Sequence, residues 1–382
     1  MGRLWFYLLK KINFPASLRG GARATTWQSH EFQNEVGSGG DGIPTVALRR
    51  PRDDAFNKIN MLIKQIFDLG LKNAIAADPR GKKGVERYLA AIKKDYDKLS
   101  DSEKEYFDME KLTNPYLDST IYFDNGKPVK RIMAGIDMKE EELLLASQLN
   151  ERGKTIDLVL THHPVGQGLA RLDDVMEMSV EVYESYGVPI HIAEKIQEER
   201  KKVVARSLHP ANHYKAVDIA KLLGVNFMST HTFTDNLVDN FLRNYLDELK
   251  PHTVGDVLDA LLEIPEYQLA RKMSFGPKIV AGNPKNRVGK YILEMTGGTE
   301  PSNKIYEYIS RAGFSTSVDM HMKEELLKEA NENHLNVIMA GHMSSDSLGM
   351  NLFLDELEKQ GIEIVPCGGL IRVSRLGQKG RR

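Results

Sequence analysis

Residues 129–164 set the strongest limit on what this chain can fold into. VKRIMAGID (129–137) reads as a strand, KEEELLLASQLNERG (139–153) as an amphipathic helix closed by Gly153, and TIDLVLTHHP (155–164) as a second, buried strand. Strand, helix and strand in so short a span form a βαβ unit, which requires a parallel pair with the helix laid on the sheet face. The second strand buries Ile156, Leu158, Val159 and Leu160 and then stops on His162 and His163, followed by Pro164 and Gly166.

The same grammar returns in the last third. GKYILEM (289–295), FSTSVDMHM (314–322), LNVIMAGHMSSD (335–346) and the edge-like IEIVPCGG (362–369) alternate with helical patterns at 304–313, 323–334 and 347–361. Between the two stretches, VNFMSTHTFTD (225–235) reads as a strand ending in a His/Asp cluster, with helices over 236–249 and 253–264. Ile-Met-Ala-Gly occurs at 132–135 and again at 338–341, which points to an internal duplication. Upstream, 53–75 has helical spacing with Gly70 as its weak point or end, and 84–112 continues it.

The fold class expected is therefore α/β: two α/β halves preceded by an N-terminal helical extension. The expected divisions are an unstructured extension over 1–52, a helical segment over 53–115, a first α/β domain over 116–250 and a second over 251–375. The first thirty residues are basic and have no acid before Glu31. Such a composition also suits a targeting presequence, but an unstructured extension is the plainer reading.

Functional groups in open α/β sheets collect at the carboxyl ends of strands. Three strand ends carry unusual chemistry: His162 with His163, His231 with Asp235, and His342 with Asp346. Adjacent histidines on extended backbone project to opposite sides. A turn at Pro164 would swing both rings to one site, or each ring would serve a different ion. His342 and Asp346 share one face if a helix begins near them. The chain has 382 residues and one cysteine, Cys367, so a metal must be held by imidazole and carboxylate; zinc, manganese, iron and nickel suit that donor set. One thiol also fits a reducing, cytoplasmic setting.

The other histidines and loops carry weaker signals. His209 and His213 in HPANHY read as a cap or a cleft lining, His191 and His334 as structural, and His321 as a candidate cleft residue. TGGTEPSN (296–303) resembles a phosphate-cradling turn without the P-loop lysine. The formal charge is −1, from 52 Lys+Arg and 53 Asp+Glu, so nucleic acid is not an expected partner. EERKKVVAR (198–206) reads as a solvated helix face. No apolar run reaches the roughly 18 residues of a membrane-spanning helix.

In the order VKRIMAGID, DLVLTHHP, HTFTD and NVIMAGHMSSD, the chain resembles the Nif-three-like dinuclear-metal proteins, often described as GTP cyclohydrolase type II-like, over roughly residues 110–375. The resemblance implies two α/β domains facing across a cleft with two divalent metal ions, assembled as a homohexamer. It implies His162, His163, Asp235, His342 and Asp346 as metal ligands. Two departures stand out: the last acid is usually Glu, and DMHMKEE (319–325) replaces the family's Thr-Gly-acid element. The function this suggests is a metal-dependent hydrolase using metal-activated water on a nucleotide-like or other small substrate, with His231 as a proton-transfer group beside the ligands. The rival is a non-catalytic metal-binding ring serving as scaffold, metal handler or regulatory partner.

Overall fold

The computed structural model describes residues 61–376. The expectations for 1–52, and for a helix start at Asp53, lie outside the described residues. Helices α1 (Ile63–Ala77) and α2 (Gly81–Lys98) come first. Strands β1 (Ile121–Phe123) and β2 (Arg131–Gly135), helix α3 (Glu140–Glu151) and strand β3 (Leu158–Thr161) follow. Next are helices α4 (Met178–Ser185), α5 (Ile190–Leu208) and α6 (Lys215–Leu223), strand β4 (Asn226–Ser229) and helix α7 (His231–Leu249). The chain continues with α8 (Val254–Leu262), α9 (Pro265–Lys272), β5 (Lys278–Ala281), β6 (Lys290–Glu294) and α10 (Ile305–Arg311). It closes with β7 (Phe314–Asp319), α11 (Glu324–Glu332), β8 (Asn336–Met339), α12 (His342–Lys359) and β9 (Glu363–Pro366). Among the described residues no helix is long and apolar enough to cross a membrane.

The fold is α/β, with one sheet ordered β1-β4-β3-β2-β9 and the other β5-β8-β7-β6. The βαβ inference holds: β2 and β3 are parallel, from Ile132 opposite Leu158 to Gly135 opposite Thr161. The strands read as unbroken apolar runs because their sheets are covered on both faces. The last strand lies in the second half of the sequence, yet it pairs in parallel with β2 of the first sheet. Each sheet contains the order first, fourth, third, second, with its first strand antiparallel at the edge. That repeated order is what a duplicated unit gives. The Ile-Met-Ala-Gly match is not its trace, because it falls on the second strand of one unit (β2) and on the fourth of the other (β8). The equivalent segments are β4–α7 and β8–α12, and each helix opens His-x-x-x-Asp, as His231–Asp235 and His342–Asp346.

One continuous core joins the two sheets through these helices. It includes Ile132, Leu160 and Met228 from one sheet, Leu293, Val318 and Ile338 from the other, and Phe233, Leu237, Leu348 and Phe353 from α7 and α12. Every residue of α12 from Ser344 to Leu357 is buried, as a helix covered on all sides must be. The two helices cross where Gly349 meets Thr234; a Cβ at Gly349 would stand 2.3 Å from the Thr234 carbonyl oxygen. Gly70, expected to weaken or end its helix, lies inside α1 for the same reason. A Cβ there would lie 2.7 Å from the Phe233 ring, and the glycine lets α1 lie directly on α7.

Two boundaries differ from expectation. HTFTD was expected on a strand, but β4 stops at Ser229 and α7 begins at His231. The first turn of α7 is fastened by Asp118, whose Oδ2 accepts hydrogen bonds from the Thr232 hydroxyl at 2.6 Å and from His231 Nδ1 at 2.7 Å. Likewise α12 begins at His342 itself, after Gly341 turns the chain at φ 108°.

Gly349→Ala is expected to destabilise the protein by roughly 1–3 kcal/mol, since overpacking outweighs the gain of about 0.5–1 kcal/mol in helix propensity. A denaturant midpoint equal to or above the unaltered protein's would show that the helix crossing tolerates separation.

Candidate metal centre

Five of the residues singled out in the sequence meet at one place. His162 and His163 continue the β3 direction, their amides donating to the Gly135 and Ile136 carbonyls at 2.9 Å. Asp235 sits one turn into α7, and Asp346 one turn into α12. The His162 ring lies 5.1 Å from that of His163, which lies 5.0 Å from that of His342.

Asp346 stands between two sets of donors. Its Oδ1 is 3.5 Å from His162 Nε2, and His162 Nε2 is also 3.5 Å from Asp235 Oδ1. Its Oδ2 is 3.5 Å from His163 Nε2 and 3.3 Å from His342 Nε2, and these two nitrogens are 3.3 Å apart. The two sets, His162–Asp235–Asp346 and His163–His342–Asp346, each bring three potential ligand atoms within 4.8 Å of one another and could hold metal ions; a third such trio, His162–His163–His231, overlaps both. Asp346 is a shorter acid than the glutamate implied by the resemblance, yet it presents an oxygen to each set.

Hydrogen bonding fixes which face each ring turns inward. The Thr234 hydroxyl donates to the Thr230 carbonyl at 2.8 Å, so at 2.9 Å it accepts from His162 Nδ1. That puts the proton on Nδ1 and leaves the Nε2 lone pair facing Asp235 and Asp346. His163 Nδ1 is held in the same way by Asp137 Oδ1 at 3.0 Å. Metal-binding histidines are commonly oriented by such a partner on the far nitrogen.

The electrostatics agree with neutral rings. Burial, reinforced by His231 and His163, pulls His162 well below the usual imidazole range. Burial lowers His163 too, against the pull of Asp137. His342 is lowered to about 3, by burial first and then by His321 and His163. Burial, with Asp235 adding to it, pushes Asp346 well above the carboxylate range. His231 moves the other way: burial lowers it, but Asp235 and Asp118 outweigh that and raise it.

The donor set fits a cation on two counts. Asp235 Oδ1 and both oxygens of Asp346 are buried without a hydrogen-bond partner among the described residues, a costly state for a carboxylate in a core. Ligand atoms at tetrahedral positions with bonds of about 2.0–2.2 Å stand about 3.4 Å apart, and the spacings here are 3.3 to 3.5 Å.

His231 lies beside the cluster, its ring 5.0 Å from that of His162 and its Nε2 3.9 Å from Asp235 Oδ2. The cluster forms one wall of a cleft with about 450 Å³ of empty space, partly open to solvent. Glu294, Thr296, Gly298, Glu300, Asp319 and His321 line the opposite side. His321 does reach the cleft, with its ring 4.5 Å from that of His342 and its Nδ1 2.9 Å from Glu300 Oε1. His209 and His213 do not line it. TGGTEPSN does, but with Glu294 and Glu300 around it the loop is poorly suited to phosphate, and α10 starts only at Ile305.

The basic stretch on α5 is occupied locally, with Lys201 on Glu177 at 2.7 Å and Arg200 Nε on the Glu300 carbonyl at 3.1 Å. Sequence reasoning missed Asp118, Thr234, Glu294 and Asp319. Asp118 sits in the turn NPYLDST with no local signal, whereas Asp319 ends a strand as the histidines do.

No protein-family model matches the sequence, and no curated protein is significantly similar to it. Among solved structures, a NIF3 superfamily protein from Sphaerobacter thermophilus superposes with a TM-score of 0.64 at 23% identity, covering 81% of this chain and 99% of that one. A Bacillus cereus protein related to NIF3 matches at a TM-score of 0.34 and 12% identity, over 67% of this chain and 90% of that one. The first of these spans nearly the whole of its own length on this chain, and the likeness is one of fold: the same mixed α/β architecture as that NIF3 superfamily protein.

Proposed function

We propose that the chain is a dinuclear divalent-metal protein and that it hydrolyses a small substrate. His162, Asp235 and Asp346 would hold one ion, and His163, His342 and Asp346 the other. The observation that carries this reading is Asp346: it is buried, it has no hydrogen-bond partner at either oxygen, and each oxygen faces a different set of imidazole nitrogens. A buried carboxylate arranged so would suit divalent ions at both sets. When bound, such ions supply Lewis acidity and lower the pKa of water toward about 7.

The chain's own residues do the rest. Thr234 and Asp137 hold the His162 and His163 rings in register. Asp118 fixes His231 with Nε2 toward the cluster, where it can hold or pass a proton between cleft and substrate. The buried floor around Asp235 and Asp346 excludes bulk water from the reacting side. Zinc, manganese, iron and nickel all suit two imidazole–carboxylate sets. The homohexamer implied by the resemblance completes the proposal and is read directly by sedimentation.

Elemental analysis of purified protein is expected to give close to two divalent ions per chain, with most of that content lost in His162→Ala/His163→Ala. A value near zero for the unaltered protein after metal loading would end the dinuclear reading. Asp118→Asn is expected to keep both ions while lowering kcat roughly a hundredfold with little change in KM, the loss typical of a misplaced proton-transfer group. Loss of metal in that variant would instead show that Asp118, by fastening the start of α7, is needed to hold the ions. Absence of turnover across nucleotides, cyclic and phosphorylated substrates, with partner binding altered by metal loading, would favour the scaffold role.

A further inference from the structure

Two acids face the histidine–aspartate cluster from the second sheet. Glu294 is the last residue of β6 and Asp319 the last of β7, and the two are paired across the parallel ladder. Residues so paired project from the same face, on strands about 4.8 Å apart. Each carboxyl has one oxygen at a tyrosine. The Tyr183 hydroxyl lies 3.5 Å from Glu294 Oε2, and the Tyr306 hydroxyl 3.4 Å from Asp319 Oδ1. The remaining oxygens, Glu294 Oε1 and Asp319 Oδ2, are buried and have no partner among the described residues. Asp319 is only 1% exposed, yet both acids line the cleft. Arg243, the cation whose field reaches Glu294, is committed to Asp239 at 3.1 Å and to the Tyr186 hydroxyl at 3.0 Å.

Adjacent like charges out of water are costly unless a cation joins them. Among the described residues neither acid belongs to a trio of metal-ligand atoms. What the pair offers is two unpartnered carboxyl oxygens on adjacent strands, each carboxyl having its other oxygen near a phenol. That pattern matches a flat cation with two parallel N–H donors better than a metal ion, because such forks meet carboxylates with directional, charge-assisted hydrogen bonds.

We propose that Glu294 and Asp319 form a subsite for a planar amidinium- or guanidinium-type group of the substrate, which donates N–H to Glu294 Oε1 and Asp319 Oδ2. The rest of the substrate then extends across the cleft to the Asp346 cluster. This deepens the hydrolytic reading of the same cleft by naming its substrate class.

The pair also predicts a pH effect. Burial pushes Asp319 up to about 7, with the nearby Ser317 and Tyr306 hydroxyls opposing it. Burial, and then Asp319 and Asp239, push Glu294 well up, with Tyr183 and Arg243 opposing it; His321 and Glu300 also face Asp319. The unfolded chain releases the Asp319 proton near 3.8, the folded chain near 7, so folding binds an extra proton between those values and stability falls as pH rises through them. Asp319→Asn is therefore expected to raise Tm at pH 8 and to leave it nearly unchanged at pH 3.5.

The binding test uses the full chain, metal-loaded, at pH 8, with methylguanidinium and its neutral counterpart N-methylurea as probes followed by ligand-observed NMR. Methylguanidinium is expected to bind and N-methylurea not. Asp319→Asn, and Glu294→Gln/Asp319→Asn, are expected to weaken the cation by roughly tenfold or more. Metal content and Tm are read on the same samples, and both variants are expected to keep the unaltered protein's ions. Equal binding of the two probes, unchanged binding in a folded variant, or a third divalent ion lost with Asp319→Asn would overturn the subsite. Methylguanidinium binding that depends on these acids in protein that takes up no metal would sustain the subsite and remove the dinuclear reading.

Discussion

The close crossing of α7 and α12 at Gly349 and Thr234 is the contact on which the rest of the structure depends. The missing side chain at Gly349 lets the two helices touch backbone to backbone. One turn before it on α12 stands Asp346, and one residue after Thr234 on α7 stands Asp235. Thr234 also accepts from His162 Nδ1, so a single residue joins helix packing to ring orientation. A separation of these helices by the width of a methyl group would part Asp235 from Asp346 and release His162 together. The helix pair is in turn the middle layer of the core that joins the two sheets, so the position of the cluster follows from the fold rather than from a loop.

Three carboxylate oxygens and several imidazole nitrogens in such a core would ordinarily be a defect. Isolated polar groups away from water cost on the order of 1–3 kcal/mol each, and charges more. Elsewhere in this chain the same cost is met locally. Glu266 pairs with Arg375 at 2.8 Å, and Asp355 with Arg372 at 2.6 Å. Among the described residues Asp235 and Asp346 have no arginine or lysine partner, only histidines. The contrast between acids given an arginine and acids given only imidazoles is the clearest physical mark of the candidate site. Glu294 and Asp319 repeat it on the facing wall, but with phenols in place of imidazoles.

Much of this was legible in the sequence because it depends on local spacing. The parallel pair β2–β3 follows from apolar runs flanking an amphipathic helix, and the carboxyl-end location of His162, His163 and His342 follows from where those runs stop. What was not legible depends on contacts between distant segments. Gly70 reads as a helix breaker until Phe233 is seen to occupy its missing side chain. The pairing of β9 with β2 carries no signal in IEIVP. Asp118 looks like a turn residue, although it fastens the start of α7 from more than a hundred positions away. The duplication left a misleading and a true trace: Ile-Met-Ala-Gly falls on non-equivalent strands, while His-x-x-x-Asp opens the same helix in both units.

The adjacency of His162 and His163 finds its explanation in Asp346. Neighbours on extended backbone diverge, and for one ion that divergence would be an obstacle. Here a carboxylate from the facing helix lies between the diverging rings, with Oδ1 toward one and Oδ2 toward the other. Divergence then becomes the useful property, because it gives each oxygen its own imidazole. The two units contribute unequally to this arrangement. The first supplies both of the paired histidines and Asp235, and the second supplies the shared acid and His342. The trio His162–His163–His231 lies wholly in the first unit, but both sets that include Asp346 need the second as well, so the chemistry proposed here requires the two sheets to be held together by the helix pair in their common core.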